Sequence, residues 1–263
     1  MIFLESISRL LNILHRPISF LEGVYGTILV CILNSEEKEK LGLRMYNNAK
    51  RSYRGKTLHD WERKWFTGSL PAPPSKVLVA ACGAGRELKE LLEMGYEVKG
   101  FDGSESMVSE CRARLPEVEV FLSTFREFEI NNQSSKQKEY DAVLIGWGSI
   151  MHLYDKKSLN SFFTTLNAVC PQGPILFSGQ LSRDGKNLSQ SRSAKTGRLL
   201  ATGICKVLRR STNNLEFDYF TVREGFLKLH HYSDFVELAD KLDRVVESHN
   251  YDYPCITLQK KME

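Results

Sequence analysis

The stretch Val77-Leu-Val-Ala-Ala-Cys-Gly-Ala-Gly-Arg86 leaves a run of strand formers through two alanines, a cysteine and two glycines. After Arg86 an amphipathic stretch carries Leu88, Leu91 and Leu92 on one helical face and stops at Gly95. A second apolar run from Tyr96 to Phe101 then ends on Asp102. Val77 to Ala80 shows no polar alternation, as expected of a parallel strand buried on both faces. Small residues between a strand and a helix let a ligand approach the backbone, and the helix start offers unpaired N–H groups. An acid at the tip of the next strand stands where ribose hydroxyls are gripped in doubly wound folds.

The same rhythm continues outward. Helix is expected from Ser104 to about Leu115, strand over Val118–Leu122, and strand again over Tyr140–Ile145, ending in the turn Gly146-Trp-Gly-Ser149. A helix over 156–169 and a fifth strand over Pro174–Ser178 follow. Strands and helices alternating through short links predict a parallel sheet with helices on both faces. Beyond it, Ile204–Leu208 and Leu215–Val222 flank Ser211-Thr-Asn-Asn214 and read as a hairpin, Ser233 reads as a helix cap, and Tyr253–Leu258 reads as a last strand.

Upstream, Pro71-Ala-Pro-Pro74 breaks any helix and divides an N-terminal helical cap, residues 1–70, from a main domain, 71–263, with an insertion at 181–230. Residues 2–14 and 24–33 read as two amphipathic or buried helices, and 35–66 as largely helical. The uncharged run Val24–Leu33 is too short to span a bilayer, which takes about 20 apolar residues. The apolar N-terminus leaves a peripheral membrane contact or a homodimer open.

The 263 residues are 42% hydrophobic and 26% charged, with a net charge of +4. Six cysteines and six histidines form no C-x-x-C pair and no zinc spacing, so no metal and a reducing, cytoplasmic setting are expected. Between Arg183 and Arg210 eight basic residues face one acid, Asp184. They read as a solvated loop and edge strand or as a patch for an anionic partner. No aromatic residue interleaves with them, which argues against nucleic acid.

A Rossmann dinucleotide site prefers three glycines, G-x-G-x-x-G, and only Gly83 and Gly85 stand here. The glycine turn, the later acid and the terminal strands instead resemble the class I S-adenosylmethionine (SAM)-dependent methyltransferase family, well over residues 75–180 and loosely beyond. Within it, Val77–Glu87 is similar to a thiopurine-type, small-molecule branch. The resemblance implies a seven-stranded, mostly parallel, doubly wound α/β sheet, with a last strand inserted antiparallel. It implies that Ala81, Cys82, Gly83 and Gly85 pass under the methionine and ribose part of SAM, and that Asp102 accepts from the ribose. Gly103, Ser104 and Met107 would flank the adenine, with Ser123, Thr124 and Phe125 on its other edge. Gly146 and Trp147 would line the methionine and substrate side. Val79, Ala81 and Thr124 replace an acid, a glycine and an acid common in the family. The chain lacks the D/N-P-P-Y/F signature of enzymes that methylate adenine or glutamine nitrogens.

The sulfonium methyl is already activated, so the protein chiefly holds an acceptor in line with it, and a base helps only when a proton must leave. His152, in the loop after Gly146, is the first candidate for that base, with His231 and Tyr154 behind it. The expected activity is methyl transfer to a small-molecule or peptide acceptor. The alternatives are an RNA- or protein-modifying methyltransferase that uses the basic insertion, and a non-catalytic methyltransferase-like binding protein.

Overall fold

The computed structural model describes residues 2–48, 57–132, 139–182, 192–208, 218–221, 225–251 and 253–261. In chain order the helices are α1 (Ile2–Ile32), α2 (Ser35–Asn48), α3 (Asp60–Ser69), α4 (Arg86–Glu93), α5 (Glu105–Arg114), α6 (Phe125–Asn132), α7 (Lys156–Val169), α8 (Arg192–Leu208) and α9 (Tyr232–Lys241). The strands are β1 (Lys76–Ala80), β2 (Glu97–Asp102), β3 (Glu119–Leu122), β4 (Ala142–Ile145), β5 (Ile175–Ser178), β6 (Leu181–Ser182), β7 (Asp218–Thr221), β8 (Gly225–Lys228), β9 (His230–His231), β10 (Arg244–Asn250) and β11 (Pro254–Lys260). The chain forms two compact units, residues 1–42 with 184–229, and residues 43–183 with 230–263.

The larger unit is built on a seven-stranded sheet in the order β10-β11-β5-β4-β1-β2-β3. β1 pairs in parallel with both β2 and β4, and β11 runs antiparallel between β5 and β10. This is the doubly wound sheet with one inserted antiparallel strand that the sequence leads one to expect. Strand order reverses direction at β1, so the carboxyl ends of β1 and β4 open a crevice. Val77 to Ala80 and Ala142 to Ile145 are almost fully buried, because a parallel sheet is covered on both faces. On one face α3 supplies Trp65 and Phe66, and the Trp65 indole N–H donates to Thr257 of β11 at 3.0 Å. Arg244 fastens β10: its buried guanidinium donates to the Asn167 side chain and to the carbonyls of Gly173, Leu258 and Cys170.

The smaller unit packs α1 on α8. Glycines permit the approach: a methyl at Gly23 would lie 2.5 Å from Ser193 Oγ, and one at Gly197 would lie 2.8 Å from the Val24 carbonyl. The β7–β8 hairpin adds Phe220, whose ring meets Tyr25 edge-on at 6.0 Å. A buried Lys38–Asp218 pair at 2.7 Å joins the start of α2 to the hairpin.

Several expectations are corrected here. The N-terminal stretch is one helix, α1, with Pro17 inside it, and not two. A proline removes one N–H from the ladder and bends a helix without necessarily ending it. Ile204–Leu208 belongs to α8 and not to a hairpin, which forms later, between β7 and β8. Gly197, Ala201 and Cys205 recur every four residues as the buried stripe of α8, a helical period among residues that individually favour strands. Arg192, Lys195, Arg198 and Lys206 are therefore helical, while Arg183, Lys186, Arg209 and Arg210 lie outside the described residues. His231, and not Ser233, caps α9, and β10 and α6 had no expected counterpart. No described helix is long and apolar enough to cross a membrane. All six cysteines are buried and free of disulfides.

Candidate functional site

The turn after β1 is held by hydrogen bonds to the next strand. Cys82 N donates to the Phe101 carbonyl at 2.9 Å, and Gly83 N donates to Asp102 Oδ2 at 2.9 Å. The other carboxylate oxygen of Asp102 accepts from Ser104 N at 2.8 Å. Asp102 thus ties the two turns together, and each oxygen keeps a lone pair. Burial raises its pKa above the ordinary aspartate range, and the Glu87 charge adds to this, while the N–H groups of Ser104 and Gly83 oppose the rise.

The turn adopts left-handed backbone at Ala81 (φ 52°), Gly83 (φ 53°) and Gly85 (φ 85°). Ala81, which stands for the usual glycine, bears the strain of that region. A methyl group at Gly83 would meet nothing within 4 Å, so the space above the turn is open. Gly146, at the end of β4, is required by contact: a methyl there would lie 2.3 Å from the Ala81 carbonyl. Gly85 backs onto Cys111 and Leu115 with no room for a side chain. Cys82 is buried, and its hydrogen bond with Cys111 and its desolvation keep its thiol protonated.

On the β2–β3 flank, Ser104 caps α5, accepting from Met107 N at 3.4 Å, and its hydroxyl also meets Asn47 at 2.8 Å. Gly103 faces Leu43 and Thr124, within 3.0 and 3.3 Å of a methyl built on it. Thr124 and Glu127 cap the start of α6 reciprocally, at 2.8 and 3.2 Å. Ser123 N donates to the Asp102 carbonyl, and its hydroxyl donates to the Thr124 carbonyl. The Phe125 ring packs on Phe101 and Phe162.

On the β4 flank, a 3-10 turn (Ser149–His152) carries His152 between two phenols: Nε2 is 3.3 Å from Tyr46 Oη, and Nδ1 is 3.3 Å from Tyr154 Oη. His231 is placed otherwise. It starts α9, its N–H donating to Asp234, and it is His230 that reaches this turn, through the Ile150 carbonyl at 3.1 Å.

The residues that sequence reading passes over surround Arg86. Its guanidinium forks onto both oxygens of Glu62, at 2.8 and 2.6 Å, and onto Glu87 Oε1 at 2.6 Å. Burial disfavours its charge, but Glu87 and Glu62 more than offset this and raise its pKa. Glu62 also accepts from His59 N, and so joins the start of α3 to the start of α4. The ring of Trp147, about half exposed, lies 5.7 Å from the guanidinium, and its backbone N–H donates to Glu87 Oε1 at 3.4 Å. His59, Trp61, Tyr251 and Tyr253 cluster around it. Of this cluster the sequence reading names Trp147; for the rest, the pair Trp61 and Trp65, four apart on α3, is a signal in the sequence. No group of three His, Cys, Asp or Glu able to hold a metal occurs among the described residues.

The sheet order, the glycine turn and the strand-tip acid together define a class I methyltransferase fold. Residues 77–173 match the family described as "Methyltransferase domain". It is 30% identical over 120 residues to the curated Bacillus subtilis (strain 168) protein "Putative methyltransferase YqeM", an alignment covering 45% of this chain and 47% of that protein. The chain thus spans about half the length of the curated relative it matches. Among solved structures it is similar to the PH0226 protein of Pyrococcus horikoshii OT3 (21% identity, TM-score 0.53, 76% of this chain and 87% of that one). It is also similar to magnesium protoporphyrin IX methyltransferase (ChlM) of Synechocystis PCC 6803 with bound SAM (13% identity, TM-score 0.53, 85% and 97%). A SAM-dependent methyltransferase of Methanosarcina mazei gives a TM-score of 0.54 at 12% identity over 79% and 100%. At these identities the structures speak to the fold.

Proposed function

We propose that this chain binds SAM at the β1–α4 turn and transfers its methyl group to a small-molecule or peptide acceptor. The observation that carries this reading is Asp102. Its carboxylate fixes the amides of Gly83 and Ser104, and a methyl built on Gly83 beside it would meet nothing within 4 Å. Those features fit a ribose diol above and a chain of small residues below. When bound, SAM supplies an electrophilic sulfonium methyl. The protein's part is to orient the acceptor and, where needed, to take up a proton.

For the second task we infer a relay through His152. A neutral imidazole donates from one nitrogen and accepts at the other, so Tyr46 and Tyr154 take opposite roles beside it. A proton accepted through the Tyr46 hydroxyl can be matched by one passed on at the other ring nitrogen. Thr124 and Phe125 are proposed to shape the adenine edge through backbone and position, since the threonine hydroxyl is committed to a helix cap. The six free thiols support a reducing, cytoplasmic setting. The apolar residues exposed on α8, Leu199 and Val207 among them, support contact with a second copy or a membrane surface.

Calorimetric titration with SAM and S-adenosylhomocysteine tests the reading. We expect binding by the native chain and at least tenfold weaker binding by Asp102→Ala, in line with the roughly 1.5–3 kcal/mol of a hydrogen bond to a charged group. Equal affinities for a folded Asp102→Ala variant would place the cofactor elsewhere. No binding by the folded native chain would leave a non-catalytic relative of the family.

A further inference from the structure

Four aromatic rings on the β4 side close into a circuit. The centroid distances are 6.0 Å from His59 to Trp61, 6.3 Å from Trp61 to Tyr253, 5.4 Å from Tyr253 to Trp147 and 6.0 Å from Trp147 back to His59. His59 and Tyr253 lie 9° and 26° from the plane of Trp61, whereas Trp147 crosses His59 and Tyr253 at 70° and 72°. A square of such sides holds a central group roughly 4 Å from every centroid, within cation–π range, and these angles let His59, Tyr253 and Trp147 turn their faces to it while Trp61 closes the fourth side edge-on. The rings reach the surface: His59 and Trp147 are exposed, Tyr253 is partly exposed, and Trp61 is partly exposed with its inner side against the core. A cluster of aromatic rings left in water is a mark of a binding surface.

The charge beneath has a definite sign. Two buried carboxylates, Glu62 and Glu87, hold one guanidinium, Arg86, which lies over the Trp147 ring at 5.7 Å, so the cluster as a whole carries one formal negative charge. Negative potential added to the negative faces of the rings attracts a cation and repels a carboxylate or phosphate. The location is definite as well. Trp147 directly follows Gly146, and Tyr253 precedes β11, whose Cys255 pairs with Ser178 at the carboxyl end of β5. The circuit therefore lies on the same edge of the sheet as the glycine turn, on the flank opposite Asp102.

We propose that His59, Trp61, Trp147 and Tyr253 form a recognition box for an alkylammonium group carried by the acceptor. Placing that group on the acceptor rests on the methyltransferase reading; the box itself rests on the rings and the charge. A methylated nitrogen presents a diffuse positive charge with no N–H to satisfy, which suits ring faces and needs no hydrogen-bond acceptor.

The test uses the full chain, with choline as the probe and its neutral isostere 3,3-dimethylbutan-1-ol as the control. Tryptophan fluorescence reads binding, and S-adenosylhomocysteine is titrated into the same samples. We expect saturable choline binding, with the neutral alcohol weaker by roughly tenfold or more. Tyr253→Leu and Trp61→Leu should each weaken choline by a similar factor, Tyr253→Phe should retain it, and all three should still bind S-adenosylhomocysteine. Equal binding of choline and the alcohol would reduce the box to apolar surface and overturn the proposal. Absence of choline binding by a chain that binds S-adenosylhomocysteine would also overturn it, with the cofactor reading intact. Choline binding without S-adenosylhomocysteine binding would keep the box and remove the cofactor reading.

Discussion

Ala81 adopts a left-handed backbone conformation at φ 52°, which costs a non-glycine residue roughly 1–2 kcal/mol. Ala81→Gly is accordingly expected to stabilise the chain by about 1 kcal/mol, set against the greater freedom glycine gives the unfolded chain, as measured by urea denaturation. Asp102 makes a second prediction. Burial raises its pKa, so it takes up a proton at a higher pH than an ordinary aspartate. Its contribution to the stability of the ligand-free fold is fully present below the unfolded-state pKa. That contribution is lost as pH rises through the folded pKa. Ribose hydroxyls would favour the ionised form, so S-adenosylhomocysteine affinity should climb as pH rises through that same pKa and then level. Calorimetry across pH should show this slope for the native chain and a flat profile for Asp102→Asn. At this scale the glycine turn and the acid are readable in the sequence, because small residues between apolar runs admit few other structures. The role of Arg86 is not, since a charged residue at a helix start ordinarily reads as solvated.

Two helix starts, those of α3 and α4, are joined by Arg86, Glu62 and Glu87, which are nearly buried. Removing one member of a buried ion cluster leaves uncompensated charge, at a cost of about 3–5 kcal/mol. Arg86→Ala should lower the urea midpoint accordingly, and Arg86→Met combined with Glu62→Met should recover part of the loss. The strands β1 to β5 are legible because burial on both faces makes each a short, unbroken apolar run. Helix α8 is not, because Ile204 and Val207 favour strands locally while the packing runs through Gly197, Ala201 and Cys205. Strand β10 is missed for a related reason. Arg244 at its start reads as surface, yet in the fold it is buried and spends its donors on three carbonyls and an amide. A contact that spans the chain leaves no local pattern.

The division into two units cuts across the sequence. The smaller unit takes its residues from 1–42 and 184–229, and the sheet-bearing unit takes the rest. The proline run at 71–74 marks a change in local composition, but compactness depends on which helices find each other, and α1 finds α8. The binding and catalytic residues proposed above all belong to the sheet-bearing unit, as do the four rings of the ammonium box.

Pairing α1 with α8 also sets a timetable for biosynthesis. Glycine-lined α1 leaves the ribosome early, and its partner is made only after residues 33–191 have been translated, roughly ten to thirty seconds later. Through that interval the apolar residues that α8 will cover stay uncovered, while β1 to β4 already have the neighbours they need and β5 still awaits β11. The nascent chain therefore passes through a stage in which the parallel part of the sheet can assemble while α1 is still waiting. That is the stage at which a chaperone, or a second nascent chain, would find it.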